Sequence, residues 1–399
     1  MEPLKNRPKI AIDLQAEPVR GAEVKARSWL LFNLVVGGEL SRRPRSLELA
    51  DDIEWLVSTR GFEPGVRLGT ERELAQKFSV GPRVVRQACR SLSARGTVEA
   101  KRGNAGGFVV ARTSETRAVD AFIGALPSSG SRDDALDALN AVGAALDQER
   151  GAAAQFALSA LQRMSQGGVG RGGSASGNGL AEMIAQKIES ELSVWVSSKC
   201  PGIRTGVIEA MSERYQVGEA LIVQAMRLLE DRGVLQLRKG RVGGISLTGE
   251  RGCAHAILTA NAYFSTHSVT AAECDKLVRM LNIASIERAA RCASVSLDSI
   301  EQAFSAMRQA NDATAVGMQW FALQRALSDR ANNAPLHLLV RCLAAYVVRV
   351  RTCKSSLDDA QAGTLVRSSE RIVANLRNGR TAGSAEAHLA CQEALGASW

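Results

Sequence analysis

Residues 64–110 read PGVRLGTERELAQKFSVGPRVVRQACRSLSARGTVEAKRGNAGGFVV, and this stretch decides the fold. Its apolar periods predict an extended entry, two short helices and a β-hairpin with a basic, glycine-rich tip. We expect the first helix over residues 71–78. The second should begin at Pro82, a residue suited to the first turn because its missing N–H would be unpaired there anyway. This order of elements predicts a winged helix-turn-helix.

The second helix has two chemically different faces. Its apolar residues recur at helical spacing and predict the face that meets the core; they are Val84, Val85, Ala88, Cys89 and Leu92. Arg83, Arg86 and Arg90 lie three and four residues apart on the other side, so their guanidiniums should project together. A planar guanidinium can pair bidentately with guanine or hold a phosphate. The pattern favours a helix that enters the major groove over a merely solvated charged helix.

The expected hairpin adds positive charge beside this helix. We predict strands over residues 97–100 and 107–110, with a wing over 101–106 between them. From Lys77 to Arg102 the chain has seven Lys or Arg residues and a single acid. The candidate DNA-contacting residues are therefore Arg72, Arg83, Arg86, Arg90, Lys101, Arg102 and Asn104.

The same stretch resembles the DNA-binding domain of GntR-family bacterial transcription regulators. Their pattern is approximately P-G-x-x-L-x-x-E-R-E-L-A, V-S-R-x-x-V-R-E-A-L, L-x-x-x-G-L and a G-x-G-x-x-V wing. The matching residues are Pro64, Gly65, Leu68, Glu71, Arg72, Glu73, Leu74, Ala75, Val80, Val85, Arg86, Ala88, Leu92 and Gly96. The family's Ser-Arg after the turn is Gly81-Pro82 here, and its Glu after the second Arg is Gln87. The resemblance implies DNA contacts from Arg72, Arg86 and the wing, with Arg83 as a shifted substitute.

The length and composition limit the kinds of protein that the chain could be. With 399 residues, 45% of them apolar, the chain is long enough for two or three domains. Few aromatics and frequent Ala, Leu and Arg suggest a mostly helical protein. The formal net charge of +9 is compatible with a polyanionic partner, and on that number alone nucleic acid and anionic membrane both remain open.

Several classes of protein lack support in the sequence. The eight cysteines form no C-x-x-C pair, so neither a zinc finger nor a thioredoxin-like site is indicated, and a reducing compartment is expected. No apolar run is long enough to cross a bilayer, and no signal peptide begins the chain, so we expect a cytoplasmic protein without a membrane partner. The chain has no G-x-S-x-G, H-E-x-x-H or P-loop lysine motif, so we expect no catalysis and no cofactor.

The first part of the chain divides by composition. Residues 1–45 mix Pro and charges with few large apolar groups and predict a flexible basic segment. Ser46 offers an N-cap for a helix over residues 47–60, which opens the winged helix-turn-helix at 46–112. Residues 113–165 predict a helical connector that either supports a dimer interface or docks onto a domain. The Gly/Ser tract at 166–179 predicts a flexible linker.

Beyond the linker the chain repeats itself. A shift of 137 positions places residues 64–107 on 201–244 without a gap. The coinciding pairs include Gly65 with Gly202, Gly81 with Gly218, Leu92 with Leu229, Gly96 with Gly233 and Gly107 with Gly244. A register held through turn glycines and core positions predicts a second winged helix over residues 180–249.

The repeat does not keep the basic face. Arg72, Arg83 and Arg86 are replaced by Glu209, Ala220 and Val223. An acid facing phosphate would repel it, whereas the wing remains basic through Arg238, Lys239 and Arg241, which are possible secondary DNA contacts. We interpret the second winged helix as one that lost major-groove readout and either touches DNA with its wing or packs against protein.

Residues 253–399 predict a helical domain that resembles the FCD effector-binding domain of the FadR branch of GntR regulators. The carrying residues are 286–293, 321–328, 333–336, 372–379 and 387–389. Many members hold a metal there through an Asp and three His. The aligned positions in this chain are Trp320, Gln324, Ser369 and His388, and one imidazole cannot hold a divalent ion, so we predict no metal.

The resemblance leaves two roles open for this helical domain. It could bind an organic acid or acyl group, with Arg279, Arg325 or His388 as the counter-charge, or it could serve dimerisation alone. The expected fold class is mainly α with small β-hairpin wings: two winged helix-turn-helix domains and a C-terminal all-α bundle. The expected function is a sequence-specific, homodimeric DNA-binding transcription regulator that acts on double-stranded DNA and responds to a small effector. The alternative is a structural or interaction protein whose tandem winged helices bind protein or coat DNA without sequence preference.

Overall fold

A computed structural model describes most of the chain. The described residues are 35, 44–60, 63–101, 106–126, 131–167, 180–196, 203–204, 207–238, 244–247, 253–292, 295–351, 357–381 and 383–396. Sixteen helices and two small antiparallel sheets account for their regular structure. The described part is therefore mostly helical, as the composition predicts. The predicted flexible segment and Gly/Ser linker lie almost entirely outside it.

The first unit comprises residues 45–110. Its elements are α1 (Arg45–Thr59), β1 (Arg67–Gly69), α2 (Glu71–Lys77), α3 (Pro82–Arg95), β2 (Val98–Lys101) and β3 (Gly107–Val110). The three strands form an antiparallel sheet in the order β1-β3-β2. Val85, Ala88, Cys89 and Leu92 of α3 are buried in this unit's core, with Val84 packed at its edge. The structure thus has the helices and hairpin predicted for this stretch, with the predicted apolar stripe turned inward.

The helix starts differ from the prediction at one point. Helix α1 follows Pro44 and already contains Ser46, which is buried, so the prediction of Ser46 as N-cap was wrong. Helix α2 has a capping box instead. Thr70 Oγ1 accepts from the Glu73 amide, and the Glu73 carboxylate accepts from the Thr70 amide. This box fixes the start of the helix that carries Arg72.

Two glycines shape the turn from α3 into the hairpin. Gly96 ends α3 with φ 85°, and a Cβ there would lie 2.9 Å from Arg117 Cδ. Gly107 has φ 144°, and a Cβ there would lie 2.7 Å from the Gly69 carbonyl oxygen. Glycine is needed at both positions, since both the backbone conformation and the available space exclude a side chain.

The second unit comprises residues 180–247. Its elements are α7 (Leu180–Val196), β4 (Ile203–Arg204), α8 (Val207–Tyr215), α9 (Glu219–Asp231), β5 (Leu235–Arg238) and β6 (Gly244–Leu247). The strand order β4-β6-β5 matches that of the first unit. Backbone irregularities also recur 137 residues apart: Ser79 and Gln216 have φ 50° and 54°, and Gly96 and Gly233 have φ 85° and 67°.

The remaining helices form the helical domain. They are α4 (Glu115–Gly124), α5 (Ser131–Gln148), α6 (Ala152–Ser165), α10 (Ala254–Thr266), α11 (Ala271–Arg291), α12 (Asp298–Arg308), α13 (Ala313–Ala331), α14 (Ala334–Val350), α15 (Asp359–Arg377) and α16 (Ser384–Gly396). A larger core joins α4–α6 to α10, α11 and α14, and a smaller one joins α11–α13, α15 and α16. The helices between the first unit and the linker therefore share a core with the C-terminal helices. None of the described helices is both long and apolar enough to cross a membrane.

Helix α1 is buried on two sides. Leu49, Ile53 and Val57 pack in the core of the first unit, whereas Trp55 packs in the larger core of the helical domain. Glu54, between these two faces, is 1% exposed. Because α1 contributes to both cores, the first unit cannot rotate against the helical domain without exposing apolar surface to water.

A buried group of charges lies where the units meet, and we call it the Arg95 cluster: Arg95, Asp51, Glu54, Asp231 and Arg349. Arg95, at the end of α3, donates to Asp51 Oδ1 at 2.9 Å and Glu54 Oε2 at 2.8 Å. It also donates to both carboxylate oxygens of Asp231 in the second unit, at 2.6 and 3.0 Å. Arg349 of α14 lies 3.8 Å from Glu54 Oε2. The cluster therefore joins the first unit, the second unit and the helical domain.

The Arg95 guanidinium is wholly buried but keeps its charge. Burial opposes the charge, yet Asp231, Glu54 and Asp51 outweigh it and hold the pKa of Arg95 well above its ordinary value. Removing one member of a buried ion pair leaves its partners uncompensated in a poor solvent for charge. We therefore expect this arginine to matter for stability far more than a surface arginine would.

Replacing Arg95 by methionine should lower the free energy of unfolding by about 3–5 kcal/mol, since three carboxylates would lose their cation. Urea unfolding followed by circular dichroism measures this quantity. The control is Arg90→Met, an exposed position on the same helix, for which we expect a change below about 0.5 kcal/mol. Equal urea midpoints for the two variants would contradict the role given to the Arg95 cluster.

Candidate nucleic-acid interface

Four arginines of the first unit are exposed to solvent. Arg83, Arg86 and Arg90 on α3 are exposed, as is Arg72 on α2. They project outward because the opposite stripe of α3 is held in the core. The structure thus leaves all four of these arginines exposed to solvent, three of them on α3.

Arg86 is held by an ion pair with the neighbouring helix. Its Nε and Nη2 donate to the two carboxylate oxygens of Glu71 on α2, at 3.0 and 2.8 Å. The hydrogen bond from Arg86 is the main cause that lowers the pKa of Glu71, and the same bond raises the pKa of Arg86. Since the two side chains are 54% and 36% exposed, this pair orients the guanidinium at the surface and adds little to stability.

The hairpin continues this basic surface. Lys101, at the end of β2, is exposed and lies 4.0 Å from Glu99. The predicted contacts Arg102 and Asn104 lie outside the described residues. Arg95, which belongs to the same basic stretch of sequence, is buried in the Arg95 cluster and cannot meet a ligand.

The second unit presents different chemistry on the equivalent helices. Glu209, Glu219 and Ala220 are exposed, and Val223 is half-buried. This face therefore offers carboxylates where the first unit offers guanidiniums. Of the possible secondary contacts, Arg238 ends β5, and Lys239 and Arg241 lie outside the described residues.

The helical domain contains a cavity of about 310 Å³. Its wall is largely apolar, and the contributing helices are α11, α13, α14 and α16. Arg279 and Arg325 both line it, so the structure brings these two predicted effector contacts together. Arg351, also in the lining, is paired with Asp275. The cavity thus combines an apolar wall with cationic side chains, a combination that suits a small anion with an apolar body.

His388 departs from its predicted role. Its side chain is fully buried and stacks on Trp320, with ring centroids 6.3 Å apart. Trp320 lines the cavity, whereas His388 does not. Burial lowers the pKa of His388 to about 4, so the ring is neutral at pH 7. The prediction of His388 as a counter-charge is corrected on this ground, which leaves Arg279 and Arg325.

The residues at the aligned metal positions do not form a ligand set. Trp320 stacks over the imidazole of His388, and Ser369 Oγ lies 3.9 Å from Cys391 Sγ. Within the part of the chain that the structure describes, no group of three or more His, Cys, Asp or Glu side chains could hold a metal ion. These side chains do not fit the metal that the resemblance to the FCD domain would imply.

Sequence reasoning missed three residues at or near these sites. Glu71 matches the family pattern, but its contact with Arg86, fifteen residues on, exists only after α2 and α3 pack. Arg349 and Arg341 of α14 were not singled out. Arg349 is buried and the Nε of Arg341 donates to the Val35 carbonyl, but the sequence does not distinguish these two environments from an exposed arginine. The weak signal for the two arginines of α14 was the presence of a charged residue within an otherwise apolar stripe of the helix.

An exposed basic helix, preceded by a short helix and followed by a basic hairpin, defines the first unit as a winged-helix DNA-binding domain. Residues 45–110 match the family model described as "Bacterial regulatory proteins, gntR family". Over this segment the chain is therefore similar to the DNA-binding domain of that family.

Solved structures give weaker likenesses. Streptococcus agalactiae GntR is 15% identical, with a TM-score of 0.41 over 54% of this chain and 98% of that one. E. coli McbR/YncC is 12% identical, with a TM-score of 0.29 over 55% of this chain and 97% of that one. No curated protein sequence matches the chain.

The buried histidine predicts a pH dependence of stability. Because the pKa of His388 falls from 6.5 to about 4 on folding, the unfolded chain binds the extra proton. The stability that the folded protein gains from a neutral His388 is present above pH 6.5 and is lost as the pH falls toward 4. His388→Phe should therefore reduce the loss of unfolding free energy between pH 7 and pH 5 by about 2 kcal/mol.

Urea unfolding of wild type and His388→Phe at the two pH values measures this difference. At pH 7 the two proteins should be similar in stability, because neither ring nitrogen of His388 has a hydrogen-bond partner among the described residues. Identical pH dependence in both proteins would show that the imidazole is not held neutral.

Proposed function

We propose that the chain is a sequence-specific, DNA-binding transcription regulator of GntR type, and that the first unit reads double-stranded DNA through α3. The observation that carries this proposal is the row of exposed guanidiniums at Arg83, Arg86 and Arg90, opposite a buried apolar stripe. Arg72 and Lys101 flank this row and would hold phosphates, which gives register but no sequence information. Arg83 and Arg86 would contact bases.

The Glu71–Arg86 pair supports base reading by Arg86 in particular. A guanidinium held by a carboxylate on one side presents its remaining N–H groups in a defined direction. Less side-chain entropy is then lost on binding, which is the benefit of preorganisation. Arg90, exposed on the same helix, would follow the phosphate backbone.

The second unit is a degenerate winged helix in this proposal. Its strand order, its left-handed residues and its turn glycine repeat those of the first unit. The exposed Glu209 and Glu219 would repel phosphate, so its α9 does not enter the major groove. Its role is to hold the first unit through Asp231, and its wing remains a candidate for secondary contacts with DNA.

We also propose that the protein is a homodimer that binds a pseudo-palindromic DNA site. This part of the proposal rests on the family resemblance alone. Light scattering gives the mass of the particle in solution. Quantitative recovery of a 42.5 kDa species at the concentrations that bind DNA would remove the dimer from the proposal and leave the DNA-reading unit in place.

The test of DNA reading starts from a random duplex pool. Selection with the full chain should yield one recurrent motif, and the affinity for that motif should exceed that for random duplex by about a thousandfold or more at fixed salt. Fluorescence anisotropy gives both dissociation constants. A ratio near one would favour the alternative, a protein that coats DNA without sequence preference.

Arg86→Ala should weaken binding to the selected motif by about 1–3 kcal/mol and relax the preference at one base position, because a bidentate contact is lost. Arg72→Ala should instead weaken binding to motif and random duplex alike and reduce the salt dependence. Arg214→Ala is the control, since Arg214 is exposed on α8 of the second unit. If Arg86→Ala bound DNA like wild type while Arg214→Ala lost binding, the second unit and not the first would be the one that reads DNA.

We further propose that the cavity of the helical domain binds a small organic anion. Arg279 and Arg325 supply positive charge at an apolar wall, and the roughly 310 Å³ volume suits a small molecule. A library of small carboxylates can be screened by thermal shift. A true ligand should stabilise the wild type, since it binds only the folded state.

Ala344→Trp is the matched variant, because Ala344 lines the cavity and the larger side chain would fill it. It should abolish the thermal shift of any carboxylate found in the screen. A carboxylate that stabilises Ala344→Trp as much as wild type binds somewhere else.

A further inference from the structure

Helix α14 takes part in two sites at once. One side of it lines the cavity through Val340, Ala344 and Val347. The same helix contacts α1 of the first unit. A rigid helix that forms the wall of a cavity and touches the DNA-binding unit is a direct mechanical link between them.

Arg349 makes the contact with α1. It is 2% exposed and does not line the cavity. Its Nη2 lies 3.8 Å from Glu54 Oε2, and its Cζ lies 5.8 Å from the centroid of the Trp55 ring. Both partners are on α1, so the side chain reaches from the helical domain into the first unit. Burial lowers the pKa of Arg349, with Glu54 and Asp51 opposing that shift.

Glu54 is shared between two domains. Its Oε2 also accepts from Arg95 Nη1 at 2.8 Å, and its Oε1 accepts from Thr97 Oγ1 at 2.6 Å. Arg95 is the last residue of α3, and Thr97 begins the turn into β2. One carboxylate therefore holds the end of the DNA-reading helix and faces the cation of α14. In a buried setting such interactions are strong, so a shift of α14 changes the position of Glu54 or the strength of its bonds.

We propose that Arg349 is a positioning residue that couples the state of the cavity to the orientation of α3, through the carboxylate of Glu54. This inference rests on the proposed function, because it requires that α3 binds DNA. Movement of α14 by a ligand would alter the Glu54 contacts and with them the angle of the guanidinium row. Arg349 touches neither DNA nor the ligand in this account.

The coupling can be measured without knowing the ligand. Energetic coupling between two sites is reciprocal, so DNA bound at α3 must also change the stability of α14. Hydrogen exchange of the full chain, with and without the selected duplex, reports on residues 334–350. In wild type we expect the exchange rates of α14 to change by about fivefold or more, the lower end of typical coupling between sites.

Arg349→Met should remove this change in α14 while leaving the affinity for the duplex within about threefold of wild type, as expected of a residue remote from the bases. Arg349→Lys, which keeps the positive charge, should restore part of the change. Arg377→Met is the control, because Arg377 is an exposed arginine of the helical domain that pairs with Glu301 and lines no part of the cavity; it should respond like wild type. Arg349→Gln replaces Arg349→Met if the latter does not fold.

The outcomes separate the two proposals. A bound duplex with unchanged exchange in α14 of the wild type would overturn the coupling and leave DNA reading intact. The coupling would also be overturned if Arg349→Met or Arg349→Gln kept the full change in the hydrogen exchange of α14 on binding DNA. Failure of the selection to yield any preferred duplex would overturn the proposed function, and this inference with it.

Discussion

A single buried guanidinium sets the arrangement of this molecule. Arg95 ends the helix that presents the arginine row, and it donates to Asp51 and Glu54 of its own unit and to Asp231 of the second. Burying these charges is costly unless every partner is in place, so only one relative placement of the two units satisfies them. The direction of α3 therefore depends on the contacts of its buried end, while its other side is exposed to solvent.

Much of the first unit could be predicted because local rules decide it. Pro82 and Gly96 mark the start and end of α3, and the apolar stripe at 3.6-residue spacing gives the buried face. The repeat at 137 residues was visible for the same reason, since turn glycines depend only on local backbone conformation. The N-cap was missed at Ser46 because Pro44, with extended backbone, begins the helix two residues earlier.

Contacts between distant parts of the chain could not be predicted. Arg95 and Asp231 are 136 residues apart, and in the sequence Arg95 is one basic residue among seven. In the sequence of α1, Trp55 does not fit the helical spacing of the apolar residues that face the core of the first unit. In the structure, Trp55 packs in the second, larger core. His388 shows the same limit, because whether an imidazole meets a ligand or Trp320 depends on how α13 and α16 pack. Charge in a sequence does not distinguish a surface from an interface between domains.

In this account the second unit and the helical domain hold the first unit from two sides, through Asp231 and Arg349. The most direct test is a double-mutant cycle between Arg95 and Asp231, with Arg95→Met, Asp231→Asn and the double variant unfolded in urea. Residues in one ion network should show a coupling of about 2 kcal/mol or more, so the double variant loses much less than the two single losses combined. Losses that add within about 0.5 kcal/mol would mean that the two residues act independently, and the buried ion network would not be what fixes the DNA-reading helix.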